Sequence, residues 1–219
     1  MKKPFDLHAD YQPESFEFNK GFMAKAKDII KLYPAGRQQS AVMPLLDLAQ
    51  RQTAEEGAKA SPPYGGWISR AAMDKIAEIL DMPPVKVYEV ASFYSMYNTA
   101  PVGKYLVQFC TTTPCWLCGS GKIVDAVKDE LGIGMGETTA DGKFSLMEVE
   151  CLGACVNAPM VQINDDYYED LTPENMKEVI SQLSEDLKPT IGSQVGRRDS
   201  MPSSGPTTLK DIAKKAKVV

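Results

Sequence analysis

Four of the five cysteines of this chain lie in two short pairs, whose spacing is the strongest chemical signal in the sequence. Four residues separate Cys110 from Cys115, and three separate Cys151 from Cys155. Two thiolates a few residues apart can bind one metal centre from a single loop, and a second such loop completes a shell of four. All-thiolate sets of this kind hold iron–sulfur clusters or structural zinc. The fifth cysteine, Cys118, leaves open which sulfurs act together.

The amino-acid composition excludes several other kinds of site. The single histidine, His8, lies in a polar N-terminal stretch, where we expect a solvated ring rather than a ligand. Ser–His–Asp catalysis, Cys–His catalysis, Rieske centres and His-containing zinc sites all need histidine, so we expect none of them. We find neither a Gly-rich dinucleotide fingerprint after a predicted strand nor a phosphate-binding loop. The sequence therefore predicts a cofactor site and no catalytic residues.

Length, hydropathy and charge are typical of a globular protein with a real core. The chain has 219 residues, of which 43% are hydrophobic. No apolar stretch is long enough to span a bilayer, and the N-terminus lacks the apolar run of a secretory signal, so we expect neither membrane insertion nor export. The net charge is −5, although the stretch from Lys188 onward is basic. The acidic remainder does not suit a nucleic-acid partner.

The first half of the chain has the apolar periodicity of helices. Residues 1–18 are predicted as an N-terminal arm, and residues 19–100 as a helical bundle with four apolar stripes at helical spacing. Ser69 is placed to cap the third helix, and Pro83-Pro84 to begin the fourth.

Beyond this bundle the apolar period changes to two, which predicts strands. Over residues 101–188 the order β-α-β-β-(β)-α, with Thr172 capping the last helix, predicts a small thioredoxin-like α/β domain with both cysteine loops at strand ends. Residues 189–219 are predicted as a flexible tail, because 189–206 is rich in Gly, Ser and Pro and only 208–219 could form a short basic helix. The predicted fold class is thus α+β, with a helical bundle, a thioredoxin-like domain and a flexible C-terminal tail.

Three groupings of the sulfurs are possible. Cys110, Cys115 and Cys118 match the opening of plant-type ferredoxins, with Cys151 as the fourth ligand, but bulky residues fill that loop. The CxxC pair Cys115 and Cys118 could exchange between dithiol and disulfide, which leaves the other cysteines unexplained. We favour the third grouping, in which Cys151 and Cys155 join the first pair and Cys118 is a spare thiol. Zinc stays open as a rival to iron, although these pair spacings are looser than those of many zinc ribbons.

Five segments of the chain resemble the thioredoxin-like [2Fe–2S] subunit of respiratory complex I, the 24 kDa or E subunit of the flavoprotein 2 family. The similarity runs from about Phe16 to Leu187. The segments are Gly36–Val42, Val87–Tyr94, Cys110–Trp116, Glu150–Met160 and Asn164–Pro173.

The resemblance implies an electron-transfer subunit of NADH:quinone oxidoreductase, with no substrate site of its own. The implied ligands of one [2Fe–2S] cluster per chain are Cys110, Cys115, Cys151 and Cys155. That cluster would exchange single electrons with FMN on a partner subunit, which also binds NADH. The implied partners are this flavoprotein and other peripheral-arm subunits. The implied location is the cytoplasmic side of the bacterial inner membrane, or the matrix side in mitochondria.

Other functions compete with this one. Soluble NAD-linked formate dehydrogenases and hydrogenases use similar subunits, which is the main alternative. An iron–sulfur helix-turn-helix regulator is more distant: residues 69–96 match the motif superficially, but the recognition helix would lack arginine. A dithiol oxidoreductase using Cys115 and Cys118 is the third alternative.

Overall fold

The computed structural model describes residues 12–202, 204–205 and 207–216. His8 and most of the predicted N-terminal arm lie outside the described residues. The chain divides into two compact units, one comprising Met1–Leu106 and Gly136–Ser145 and the other Val107–Met135 and Leu146–Val219.

The first unit is built mainly from four helices, three of which begin at residues that favour a helix start. The Asn19 side chain accepts hydrogen bonds from the backbone at the start of α1. Ser69 caps α3 by accepting from the backbone N–H of Ala72, as its position in the sequence predicts. Pro84 occupies the first turn of α4, where its missing N–H costs nothing. The helices are α1 (Lys20–Lys31), α2 (Val42–Gly57), α3 (Arg70–Leu80) and α4 (Pro84–Phe93), with a 3₁₀ turn at Gln38–Ala41.

The apolar stripes of these helices form one core. Leu45, Met73 and Val87, from three different helices, are fully buried in it. Tyr97 is also buried, and its hydroxyl donates to the backbone oxygen of Met43 at 2.9 Å. Burial, with a smaller contribution from the Asp47 carboxylate, raises the pKa of Tyr97 to about 12.

The helical spacing of the sequence predicts that Tyr94 and Leu187 face inward with the apolar stripes of their helices. In the structure both are exposed. Tyr94 is 38% exposed, because α4 ends at Phe93 and the backbone of Tyr94 is already extended. Leu187 is 53% exposed, because the last helix of the second unit ends at Ser184. In both cases the helix ends before the periodic pattern does.

A five-stranded sheet follows in the chain, with strand order β2-β1-β3-β4-β5. The β1–β3 and β3–β4 pairs are antiparallel, and β4–β5 is parallel. Asn164 adopts a positive φ of 54° in the turn between β3 and β4, where asparagine is tolerated. The strands are β1 (Tyr105–Cys110), β2 (Phe144–Val149), β3 (Val161–Ile163), β4 (Asp166–Glu169) and β5 (Gly192–Ser193).

The helices of the second unit include two that pack against each other, α6 and α7. Thr172 and Asn175 form a reciprocal capping box at the start of α7, with Pro173 in its first turn. The helices here are α5 (Thr113–Leu117), α6 (Ser120–Leu131), α7 (Pro173–Ser184) and α8 (Lys210–Lys215). Mixed helices and a sheet confirm the α+β class.

Two segments differ from the expected organisation. Gly136–Ser145 belongs to the first unit, where Ser145 accepts from the backbone N–H of Gly103 at 2.7 Å. Residues 189–201, expected to be a flexible linker, instead contribute β5 and a side-chain ion pair to the second unit. The predicted domain limits at residues 18, 100 and 188 stay predictions. Within the described part of the chain, no helix is both long and apolar enough to cross a membrane.

Candidate metal centre

The first pair of predicted site cysteines lies where β1 runs into α5. Cys110 is the last residue of β1 and Cys115 lies within α5, and each is 1% exposed. The two thiols contact each other. The hydroxyl of Thr112, in the connection between strand and helix, lies 3.3 Å from Cys110 Sγ.

The second pair lies in the connection between β2 and β3. Cys151 and Cys155 hold their sulfurs 3.5 Å apart, the first exposed and the second partly buried. Gly153 between them has a φ of 88°, a left-handed conformation that favours glycine. The Tyr167 hydroxyl donates to the backbone oxygen of Leu152 at 2.7 Å and ties this loop to β4.

All four predicted ligands are brought together by this arrangement. Cys110 and Cys115 share a buried apolar cluster with Met160, and residues of the second cysteine loop pack against it. Electrostatic interactions of Cys155 with both Cys110 and Cys115 link the two pairs. Cys118 is exposed and directly follows α5. The role of each cysteine as a ligand stays a prediction.

The environments of the thiols differ in ways that bear on metal binding. Burial raises the pKa of Cys110, but hydrogen bonds from the side chain and backbone of Thr112 and from the backbone of Leu152 outweigh burial and lower its pKa overall. Burial and then the contact with Cys110 raise the pKa of Cys115 to about 12. The contact with Cys151 is the main cause that raises the pKa of Cys155. Cys115 and Cys155 therefore resist ionisation unless a cation is present.

The donor set fits a binuclear centre better than a single ion. Among the residues that the structure describes, no three His, Cys, Asp or Glu side chains are arranged to hold one metal ion. Zinc bound by four thiolates needs all of them around a single atom. A [2Fe–2S] cluster instead takes two thiolates on each of two irons, which matches an arrangement of two close pairs of cysteines.

Several residues around the cysteines were not singled out by sequence. Thr112 lies in a run of three threonines directly after Cys110. Hydroxyl groups so close to a cysteine in sequence could have indicated a hydrogen bond to its sulfur. Tyr167 falls in a strand, and no local pattern connects it with Leu152. Asn157, 3% exposed just beyond the second pair, gives no signal of its own because its partners are distant in sequence.

The family model described as "Thioredoxin-like [2Fe-2S] ferredoxin" matches residues 26–184. The chain belongs to this family. Membership confirms the predicted family, the thioredoxin-like fold and the [2Fe–2S] cofactor.

Curated relatives share about half of their residues with this family member. The E subunit of the NADH-quinone oxidoreductase of Rickettsia bellii is 54% identical over 172 residues, covering 78% of this chain and 96% of the relative. "NADH dehydrogenase [ubiquinone] flavoprotein 2, mitochondrial" of Dictyostelium discoideum is 50% identical over 194 residues, covering 89% and 74%. Among solved structures, an NAD⁺-reducing [NiFe]-hydrogenase in the H₂-reduced state matches with a TM-score of 0.52 at 17% identity, covering 64% of this chain and 22% of that one. The hydrogenase likeness concerns the fold.

Proposed function

We propose that this chain is the [2Fe–2S] electron-transfer subunit of an NADH-quinone oxidoreductase. The observation that carries the proposal is the meeting of two cysteine pairs, one buried and one near the surface, in a chain that is 54% identical to the Rickettsia bellii protein over 96% of that relative. The proposed ligands are Cys110, Cys115, Cys151 and Cys155, and Cys118 is left as an unligated thiol.

The residues around the thiols have separate tasks in this proposal. The bound cluster supplies one-electron oxidation and reduction. Thr112 and the backbone of Leu152 donate hydrogen bonds to Cys110, which favours the thiolate that a metal needs. Burial of Cys110 and Cys115 excludes water from the first pair. Tyr167 holds the loop of the second pair through Leu152.

Hydride chemistry belongs to a partner subunit in this proposal. The partner is the NADH- and FMN-binding flavoprotein, within a peripheral arm that includes further subunits. Both cysteine loops carry large exposed apolar side chains: Trp116 and Leu117 are 65% and 71% exposed in the first loop, and Val156 is 66% exposed in the second. Exposed apolar groups of this size are typical of protein contact surfaces. The proposed location is the cytoplasmic face of the bacterial inner membrane, or the matrix side in mitochondria.

A subunit of a soluble NAD-linked dehydrogenase or hydrogenase is the second candidate, and the NAD⁺-reducing hydrogenase shares the fold of this chain. At 17% identity that likeness says nothing about function, whereas relatives named as subunits of NADH dehydrogenases reach 50–54%. Purification of the native complex distinguishes the two, because a complex I subunit co-purifies with a membrane-bound quinone reductase.

The test of the ligand set uses the full chain with two matched substitutions. The wild-type protein is expected to contain about two irons and two sulfides per chain and to give an EPR signal on reduction. Cys155→Ser is expected to abolish that signal, whereas Cys118→Ser should retain it, because only the first removes a ligand. Loss of the cluster in Cys118→Ser would show that the ligand set is wrong. Stoichiometric zinc in place of iron would overturn the proposed function.

A further inference from the structure

The C-terminal strap, defined here as residues Gly192–Met201, binds the second unit along the outer edge of its sheet. Its first two residues form β5, which pairs with β4. The backbone N–H of Gln194 continues this contact by donating to Glu169 O at 2.9 Å. The strap therefore lies beside β4. Tyr167 in β4 and Asp170 just after it also contact the second cysteine loop.

Asn157 connects the strap with that loop. It closes the 3₁₀ turn that begins at Cys155, and its side chain is buried. Its Nδ2 donates both to Glu169 Oε2 at 2.7 Å and to the backbone oxygen of Asp199, in the strap, at 2.8 Å. Its own backbone oxygen accepts from the N–H of Asp170 at 2.8 Å.

Arg197 anchors the strap on the same residue, Asp170. Arg197 Nη2 lies 2.8 Å from Asp170 Oδ1, and the two side chains are only 18% and 9% exposed. Asp170 Oδ2 accepts a hydrogen bond from the Ser193 hydroxyl at 2.7 Å. Ser193 Oγ in turn accepts from the backbone N–H of Arg197 at 3.1 Å. Arg197 Nη1 reaches further along the strap, to Met201 O at 3.3 Å.

These contacts close a ring. It runs from Asn157 to Asp170, across the ion pair to Arg197, along the strap to Asp199, and back to the Asn157 side chain. Exposed surface ion pairs contribute little, but this pair is largely shielded from water, so its loss leaves a carboxylate without its counter-charge. Loss of Arg197 is therefore expected to loosen the contact between Asp199 and Asn157 and to free the side chain of Asp170 from its ion pair.

The strap also forms part of a cleft beside the cysteine loop. The cleft has a volume of about 720 Å³ and is lined by Gly153 and Ala154 from the loop and by Arg197 and Arg198 from the strap. A strap that moves away would remove one wall of this cleft.

We propose that Arg197 is a positioning residue for the second cysteine loop, acting through Asp170 and Asn157 on the turn that carries Cys155. The proposal rests on the proposed ligand set. Removal of a group that holds a metal ligand in position commonly lowers metal affinity about 10–100-fold. Arg197 lies far from the cysteines in sequence, beyond the residues that the family model matches.

The test compares two neighbouring arginines in the full chain. Arg197→Met removes the anchor, and Arg198→Met is the control, because Arg198 lines the same cleft but is 61% exposed and lies 4.0 Å from its acidic neighbour Asp199. Excess iron chelator under anaerobic conditions should strip the cluster about 10-fold faster from Arg197→Met than from wild type. The EPR line shape of the reduced cluster should also change in this variant, and Arg198→Met should match wild type in both measurements.

Two further measurements keep the outcome decisive. Arg197→Lys retains the charge next to Asp170 without the forked contacts, so it should fold where Arg197→Met fails and lose its cluster at an intermediate rate. Amide hydrogen exchange over residues 151–157 should rise in Arg197→Met and remain unchanged in Arg198→Met. Equal cluster loss and equal exchange in the two methionine variants would overturn the positioning role. Wild-type protein without iron would contradict the proposed function instead, and the exchange measurement alone would then decide the role of Arg197.

Discussion

The hydroxyl of Thr112 offers the sharpest test of how this site sets its redox potential. Thr112→Val keeps the shape of the side chain and removes the group that lies 3.3 Å from Cys110 Sγ. Thr112 precedes α5 without making a side-chain capping hydrogen bond, so the substitution leaves the start of that helix intact. The change therefore acts on the cysteine sulfur.

The expected effect is a lower midpoint potential. The reduced cluster carries one more negative charge than the oxidised cluster, so with Cys110 as the proposed ligand a hydrogen bond donated to its sulfur is stronger after reduction. A hydrogen bond to a charged group contributes about 1.5–3 kcal/mol, of which only the part that grows on reduction matters. Where that part is about 0.5–1 kcal/mol, its loss in Thr112→Val lowers the midpoint potential by roughly 20–40 mV, since a tenfold change in a one-electron equilibrium corresponds to about 59 mV.

The assay is a redox titration of the full chain followed by EPR. Thr111→Val is the matched control, because the hydroxyl of Thr111 donates to the Glu148 carboxylate rather than to a sulfur. Its midpoint potential is expected to equal that of wild type. A potential of Thr112→Val that matches wild type, or an equal shift in Thr111→Val, would refute the assignment of this hydrogen bond.

Two further predictions concern stability. Removal of the cluster should lower the melting temperature measured by calorimetry by at least about 5 °C, because the cluster binds only the folded chain; an unchanged temperature would contradict a structural contribution of the site. In cluster-free protein, the free energy of unfolding should fall as pH rises from about 10 to 12, because burial raises the pKa of Tyr97 to about 12 and ionisation therefore costs more in the folded state. Measured by urea unfolding, the free energy of unfolding should fall less over this pH range in Tyr97→Phe than in wild type, by up to about 2–3 kcal/mol. An equal pH dependence of the free energy in the two proteins would contradict this account.

Local features of the fold were predictable from sequence. Ser69 caps α3, and Thr172 caps α7, because each meets its partner within three residues along the chain. The strands around the cysteines were predictable for a similar reason, since alternation of apolar residues is a property of a short segment. The two cysteine pairs were visible as spacings, and the resemblance then named them as a ligand set.

Features that depend on distant contacts were not predictable in this way. The composition of residues 189–206 favours a linker and gives no sign that Arg197 forms an ion pair with Asp170, 27 residues away. Asn157 gives no local signal, because its side chain bonds residues 12 and 42 positions away. Gly136–Ser145 belongs to the first unit through partners such as Gly103, which lies on the other side of β1 and α6 in the sequence.

The unequal exposure of the two cysteine pairs gives the site an order of vulnerability. Cys110 and Cys115 are 1% exposed, whereas Cys151 is on the surface and Cys155 partly so. Oxygen and peroxide attack accessible sulfur first, so oxidative damage would begin at the outer pair. With their sulfurs 3.5 Å apart, Cys151 and Cys155 are placed to close a disulfide in cluster-free protein, with oxygen or peroxide as the oxidant. A thiol reductant acting from solvent would reopen that disulfide and restore the outer half of the proposed ligand set, while the inner pair stays shielded by its burial.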